Sequence, residues 1–272
     1  MEEKLLKKKA FQRRLEVLEM VYASGSGHIG GSMSCMDLLT VLYYEVLDLD
    51  KIRGGAEDRD RFILSKGHCA EALYTILADQ GFFEKAELST YAKFDTRLPE
   101  HPTRHLPGIE IGTGALGHGL CVGVGMALGL QRDRNPAHVY LLMGDGEQEE
   151  GSNWEGAMAA AKYRLDNLTA IIDRNRLQIS GNTEEVMPLD DLKEKYCAFG
   201  WDVLQCDGHN YPEILRALQY RSDGKPVLII ANTIKGYGSA VMENKADWHH
   251  LIPNQEQYQQ IKADLLRHLQ EV

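Results

Sequence analysis

Residues 139–177 read VYLLMGDGEQEEGSNWEGAMAAAKYRLDNLTAIIDRNRL, and this stretch decides the fold. An apolar run, VYLLMG, gives way to Gly144-Asp145-Gly146 and an acidic patch; NWEGAMAAAKY then has the composition of a helix, and LTAIID is a second apolar run. Strand, helix, strand with short connections is a crossover unit of a parallel sheet. YLLM is apolar on both faces, as a central strand covered by helices on each side must be. The rhythm continues downstream with LDDLKEKYCAF as helix, WDVLQC as strand, YPEILRALQY as helix and PVLIIAN as strand. Upstream, FILS reads as a strand and Ala70–Gln80 as a helix stopped by Gly81. These units predict an α/β fold with a doubly wound, mainly parallel sheet and helices on both faces. No shift in composition and no repeat divides the chain, so residues 1–272 are expected to form one domain.

The remaining segments frame that sheet. Residues 4–23 have mostly helical spacing and feed a glycine run, SGSGHIGGSMS (24–34), after which Ser34 and Asp37 suggest a capping box opening a second, largely buried helix. DKIRGGAEDRD reads as a charged linker, and residues 94–117, rich in Pro, Gly and His, hold no element, a length that points to function. Small residues from Gly117 to Leu130 predict a closely packed buried helix, and another helix follows Asn254.

Composition narrows the function. Lys+Arg 30 against Asp+Glu 40 gives a net charge of −10, which excludes nucleic-acid binding by broad charge neutralisation. No apolar run approaches the roughly 18 residues of a membrane span, and the charged N-terminus has no apolar signal core. Five scattered cysteines without metal-site spacing read as reduced thiols of a cytoplasmic protein. The 26 glycines are clustered, and such clusters suit close backbone approach to a ligand.

In a parallel sheet, ligands sit beyond the carboxyl ends of the strands. The loop after VYLLM offers the Asp145 carboxylate with neighbouring N–H groups, although a plain Asp-Gly turn would use the same residues. Asn175, thirty residues on, is one crossover away and emerges at the same edge. A carboxylate, an amide oxygen and a nearby carbonyl, completed by diphosphate oxygens and water, suit octahedral Mg²⁺. Gly112-Thr-Gly114-Ala-Leu-Gly117 also spells a dinucleotide-binding pattern with Asp133 downstream. In that fold, however, the acid must end a second strand, and Asp133 precedes the next one.

Gly-Asp-Gly followed by Asn at the next strand end is a thiamine-diphosphate signature. Together with SGHIGGSMS, SKGH (65–68), HPTRHLPGIEIGTGALGHG (101–119), RNRLQISG (174–181) and NTIKGYG with WHH (232–250), it resembles the N-terminal, diphosphate-binding half of the transketolase family along nearly the whole chain. The resemblance implies thiamine diphosphate as cofactor, with Asp145, Asn175 and the Leu177 carbonyl on Mg²⁺, or on Ca²⁺ or Mn²⁺ in its place. It implies that Gly146 donates to the diphosphate, that Gly114 and Leu116 hold the aminopyrimidine, and that Glu150 communicates with the partner protomer. Lys66 and Lys235 match diphosphate-side lysines of part of the family. His28, His68, His101 and His249 match histidines that bind the donor, the diphosphate and the reacting oxygens. His250 competes with His249 for its role; His105 and His118 neighbour matched positions, and His138, His209 and His268 have no motif. Ala115 and His118 stand where the family often has Pro and Gln, which leaves the backbone role intact but not the substrate-side contacts.

The implied activity is transfer of a two-carbon glycolaldehyde unit from a ketose, or ketose phosphate, to an aldose acceptor. The family's pyrimidine-binding domain is not found in these 272 residues. The expectation is therefore a split enzyme whose separate C-terminal subunit supplies that domain in an α2β2 assembly. Competing expectations are an α-type subunit of a 2-oxoacid dehydrogenase, a deoxyxylulose-phosphate-synthase-like chain, or a non-catalytic cofactor-binding module.

Overall fold

Each apolar run becomes a helix or strand whose buried face matches its period. A computed structural model describes residues 1–272. Helices α1 (Glu3–Ser24), α2 (Ile29–Val41) and α3 (Leu49–Arg53) lead into β1 (Arg61–Leu64) and α4 (Ala70–Asp79). A long irregular stretch precedes α5 (His118–Arg132), β2 (Val139–Gly144), α6 (Gly151–Lys162) and β3 (Leu168–Arg174). The hairpin β4 (Leu177–Gln178) and β5 (Gly181–Asn182) and the single turn α7 (Thr183–Val186) come next. The chain finishes with α8 (Leu192–Ala198), β6 (Asp202–Asp207), α9 (Tyr211–Gln219), β7 (Val227–Asn232) and α10 (Gln255–Glu271).

Five strands form one parallel sheet in the order β1-β2-β3-β7-β6. Alternation sorts their side chains onto two faces. Leu64, Tyr140, Leu142, Ile171 and Ile229 join one core with α1, α2, α4, α9 and α10, whereas Ile63, Leu141, Met143, Ile172 and Ile230 join a second with α5, α6 and α8. The sheet is therefore covered on both sides, as expected, and β2 and β3 are buried at every position. Because all five strands are parallel, the loops after β1, β2, β3 and β7 leave the same edge. The register sets Gly144 beside Asp173, and Asp173 beside Ala231.

Several expectations fail locally. The second helix does not open at Ser34: α2 begins at Ile29, and Ser34 and Asp37 lie buried inside it. Gly30 and Gly31 are helical because a neighbour presses on each. A Cβ on Gly30 would lie 2.5 Å from the Trp248 carbonyl oxygen, and one on Gly31 would lie 2.7 Å from Cys69 Sγ. Only Gly25 and Gly27 (φ +69° and +137°) use glycine's backbone freedom in that run. Helix α5 is buried on one side only, since Cys121, Val122, Gly125 and Gly129 face outward. Helix α8 starts at Leu192, later than the LDDL reading, because the Asp191 carboxylate caps it by accepting from Glu194 N at 3.0 Å. The charged linker contains α3, capped by Asp48. Residues 94–117 hold no helix or strand, as expected; Thr113 Oγ1 donating to the Leu64 carbonyl (2.7 Å) and the Arg59–Glu110 pair tie them to the sheet.

Candidate functional site

A cleft of about 230 Å³ opens at the carboxyl edge of the sheet. The loop after β1 supplies Lys66 and His68; the end of β2 and the loop after it, Gly144, Asp145, Gly146 and Glu147; and the segment after β3, running through β4, Asn175, Leu177, Gln178 and Ile179. Lys235 follows β7, His249 ends the turn 246–249, and Gly31 and Leu116 close the sides. Of the residues singled out by sequence, nine line this one cleft: Lys66, His68, Leu116, Asp145, Gly146, Asn175, Leu177, Lys235 and His249.

Asp145 is buried, its Oδ1 accepting from Gly146 N at 2.8 Å and its Oδ2 from the Arg176 N–H and from Arg174 Nη1 at 3.3 Å. Burial, then the nearby Asp173 charge, push its carboxyl above the usual carboxylate range, a cost that a cation would relieve. Beyond β3, Arg176 takes a left-handed φ of +66°, and the turn brings Asn175 and Leu177 to the cleft together. Asn175 Oδ1 accepts from Leu177 N at 3.1 Å, and its Nδ2 donates to Asp173 Oδ2 at 3.3 Å.

The two lysines differ in their partners. Lys66 is paired with the fully buried Asp173; burial lowers its pKa, but that carboxylate, followed by nearby thiols, leaves it well above its ordinary value. Lys235, just as buried, has no carboxylate partner and donates to the Leu177 carbonyl (2.8 Å) and to His249 Nδ1 (2.9 Å). Burial, then the charge of Lys66, push it down to about 8. An incompletely matched buried carboxylate and an unmatched buried ammonium thus share one cleft, a combination suited to a divalent cation carrying an anionic group. These residues fit a metal–diphosphate pair, with Asp145, Asn175 and the Leu177 carbonyl on the metal side and Lys235 and Lys66 on the anion side. A Cβ on Gly146 would meet Gln178 Oε1 at 2.8 Å and its Cβ at 3.0 Å, so the bare glycine lets these two loops pack together.

The histidines gather beside this region around His28, whose ring centroid lies 5.4 Å from His68, 5.8 Å from His101 and 5.5 Å from His249. Burial, with neighbouring imidazoles second, pushes His28 down to about 4. Burial, with Lys235 second, lowers His249 to about 3. Both are therefore neutral near pH 7, and the Lys235 donation to Nδ1 of His249 leaves its ring proton on Nε2. His249 touches Lys235, whereas His250 turns to the outer side of His28, its ring 4.5 Å away. His105 and His118 are exposed and make no ring contact with His28.

Four expected residues do not line the cleft: His28 and His101 lie in the histidine cluster beside it, and Gly114 and Glu150 stand further off. Gly114 (φ +140°) lies behind His101, where a Cβ would come 2.9 Å from the ring. Glu150 is exposed at the start of α6. Instead Glu147 is the buried acid of that loop: it accepts from Ser65 Oγ and from the N–H groups of Gly117 and Gly144 (2.9 Å each), fastening three loops. Glu71 supports His28, accepting from its N–H at 2.7 Å and from Tyr91 at 2.7 Å, and burial pushes it up to about 7. Asp173 accepts from Ser34 and Thr233 besides Lys66. Asp173 stands at the end of LTAIID, the position most exposed to a post-strand loop, and that was the signal available for it. Nothing in the acidic run separates Glu147 from Glu149 and Glu150.

Comparison with known proteins adds a family. Residues 6–266 match the family described as transketolase, thiamine diphosphate binding domain. The chain is 47% identical over 264 residues to an apulose-4-phosphate transketolase subunit of Phocaeicola vulgatus, covering 96% of this chain and 94% of that one. It is 43% identical over 251 residues to a 6-deoxy-6-sulfo-D-fructose transketolase subunit of a Clostridium species, covering 91% of each. The crystal structure of transketolase from Campylobacter jejuni superposes with a TM-score of 0.89 at 30% identity, covering 97% of this chain and 43% of that chain.

Proposed function

The chain belongs to the transketolase thiamine-diphosphate-binding-domain family, and from that premise we propose that it is the N-terminal subunit of a split transketolase that moves a two-carbon ketol unit from a ketose donor to an aldose acceptor, free or phosphorylated. The observation that carries this reading is the cleft itself, where Asp145 and Lys235 stand ready for opposite charges beside four clustered histidines. Thiamine diphosphate, when bound, supplies the nucleophilic carbon that carries the two-carbon unit.

The chain's own residues bind, orient and handle protons. Asp145, Asn175 and the Leu177 carbonyl would hold Mg²⁺, or Ca²⁺ or Mn²⁺ in its place, while Lys235, Lys66 and His68 face the diphosphate. The Gly146 N–H, which donates to Asp145 Oδ1, would donate to the diphosphate instead. Leu116, and the Gly114 backbone behind His101, would hold the aminopyrimidine. His249, with its proton on Nε2, would donate to a developing alkoxide, and His28, neutral through burial, would accept a hydroxyl proton. His101, packed on Gly114, completes the donor wall. Glu150, exposed at the start of α6, would communicate with the partner protomer.

A second subunit supplying the pyrimidine-binding domain, in an α2β2 assembly, is part of the proposal. It is supported by the match to subunit-type relatives over nearly their whole length, against 43% of the Campylobacter chain. It is supported too by the open outer faces of α5 and α6, where Val122, Met158 and Tyr163 are exposed and Gly125 and Gly129 face free space. A cytoplasmic location is part of the proposal, supported by five cysteines that are all free; no helix is long and apolar enough to cross a membrane.

The test is glycolaldehyde transfer by the chain assembled with a pyrimidine-domain subunit, in the presence of thiamine diphosphate and Mg²⁺. Transfer that requires both subunits and is abolished in Asp145→Ala supports the reading. Transfer by the chain alone, or Asp145→Ala activity equal to wild type, overturns it.

A further inference from the structure

At the outer edge of the histidine cluster, three segments far apart in sequence converge. His28 precedes α2, Glu100 lies in the irregular stretch, and His250 follows the turn 246–249. One ligand atom from each lies within 4.8 Å of the other two. The Nδ1 of His28 is buried with no hydrogen-bond partner. Glu100 is oriented by Ser26, whose hydroxyl donates to Oε1 at 2.6 Å, and its other oxygen, Oε2, lies 3.8 Å from His250 Nε2. This is the outer-shell arrangement that aims a carboxylate at a metal. We propose that His28, Glu100 and His250 form a binding site for a late first-row divalent ion such as Zn²⁺, separate from the oxygen-rich position at Asp145 and Asn175.

Two imidazoles and one carboxylate suit Zn²⁺, while Mg²⁺ favours oxygen ligands, so the two positions sort ions by chemistry. Ligand distances of about 2.0–2.2 Å in a tetrahedral site place ligand atoms about 3.4 Å apart. The three groups therefore close by a little over an ångström, which the half-exposed His250 and partly exposed Glu100 can supply by side-chain rotation. A fourth position stays open to water. An ion there would occupy His28 and stand across the mouth of the histidine cluster, making the site an inhibitory one. That consequence rests on the function proposed above; the binding does not.

The test is calorimetric titration of Zn²⁺ into the full chain in a large excess of Mg²⁺, repeated with Glu100→Gln and His250→Ala. Both residues are at the surface, and circular dichroism confirms that the variants fold. One Zn²⁺ per chain is expected for the wild type, with affinity lowered about tenfold or more in each variant. Co²⁺ should give the strong visible bands of a near-tetrahedral site in the wild type only. No binding by the wild type, or wild-type affinity in both variants with the ion held instead by His68 and His249, overturns the site. In the assembled enzyme, Zn²⁺ should inhibit the wild type and spare Glu100→Gln. Equal inhibition of both refutes the inhibitory role, while an assembly with no transketolase activity would refute the function and leave the calorimetry standing.

Discussion

Asp37, fully buried within α2, holds together a network that reaches the cleft. It accepts from Arg14 through Nη1 at 2.9 Å and Nη2 at 2.8 Å, from His209 Nδ1 at 2.7 Å and from the Tyr211 hydroxyl at 2.5 Å. Burial alone would raise its carboxyl, but the Arg14 charge and the His209 bond hold it below the usual carboxylate range. The other nitrogen of His209 accepts from Ile234 N at 2.9 Å, one residue before Lys235, and the ring stacks on Tyr237 at 3.7 Å. Asp37→Asn keeps the shape but strands Arg14, which is 0% exposed, as a buried cation without a counter-charge. Breaking one side of such a pair costs about 3–5 kcal/mol, and at roughly 2–4 °C per kcal/mol the variant should melt about 6–20 °C lower. The double variant Arg14→Met/Asp37→Leu buries no charge and should recover most of the loss. Thermal melts of the wild type, both single variants and the double, followed by circular dichroism, decide the matter. An Asp37→Asn melt within about 2 °C of wild type, or a double variant no better than the singles, refutes the charge argument.

Gly30→Ala gains about 1 kcal/mol of helix propensity but drives a Cβ to 2.5 Å from the Trp248 carbonyl, beside His249. Displacement of His249 by about an ångström should slow transfer in the assembled enzyme roughly a hundredfold, and a wild-type rate would sink the idea. His138 is buried, and burial, with Arg221 second, pushes it down to about 3. The unfolded chain therefore binds a proton that the folded chain refuses, so stability falls as pH drops below about 6.5, by about 2 kcal/mol on reaching pH 5. In His138→Gln that part of the slope should vanish in urea unfolding at the two pH values, and an unchanged slope would exonerate His138. Met158→Asp, at a position 52% exposed on α6, should leave the chain's own stability within about 0.5 kcal/mol while abolishing co-elution with the partner subunit on size exclusion. Intact assembly would clear the α5–α6 face of any role in docking.

The sheet was legible because its strands carry their own signal: YLLM and VLII are apolar on both faces only where helices cover both. Asp145 and Asn175 were legible for a topological reason, since equal positions at successive parallel strand ends must be neighbours. The glycine run at 24–34 misled because glycine serves two purposes, freeing φ at Gly25 and Gly27 and removing bulk at Gly30 and Gly31, and only the approach of Trp248 and Cys69 tells them apart. Glu147, Glu71 and the Asp37 network were hidden because what distinguishes them is burial against residues distant in sequence, to which no local period refers. The same holds for His249 and His250, adjacent in sequence yet divided by a turn that sends one to Lys235 and the other to Glu100.

The two lysines separate scaffold from function. Lys66 is neutralised in place by Asp173, and Ser34 and Thr233 complete that carboxylate's shell, so the pair is balanced in charge without a ligand. Lys235 has neutral partners only, and its position is set from behind through Ile234, His209 and Asp37. A buried ammonium without a counter-ion is unfavourable by itself, so the fold holds it there by interactions made elsewhere. An anion bound beside it, with a cation at Asp145, removes both mismatches at once. On the proposed function, ligand affinity would draw on the Lys235 ammonium, which has no carboxylate partner, and on the Asp145 carboxylate, which Arg174 matches only in part, and the network of Arg14, Asp37 and His209 would serve that binding from behind although none of its members lines the cleft.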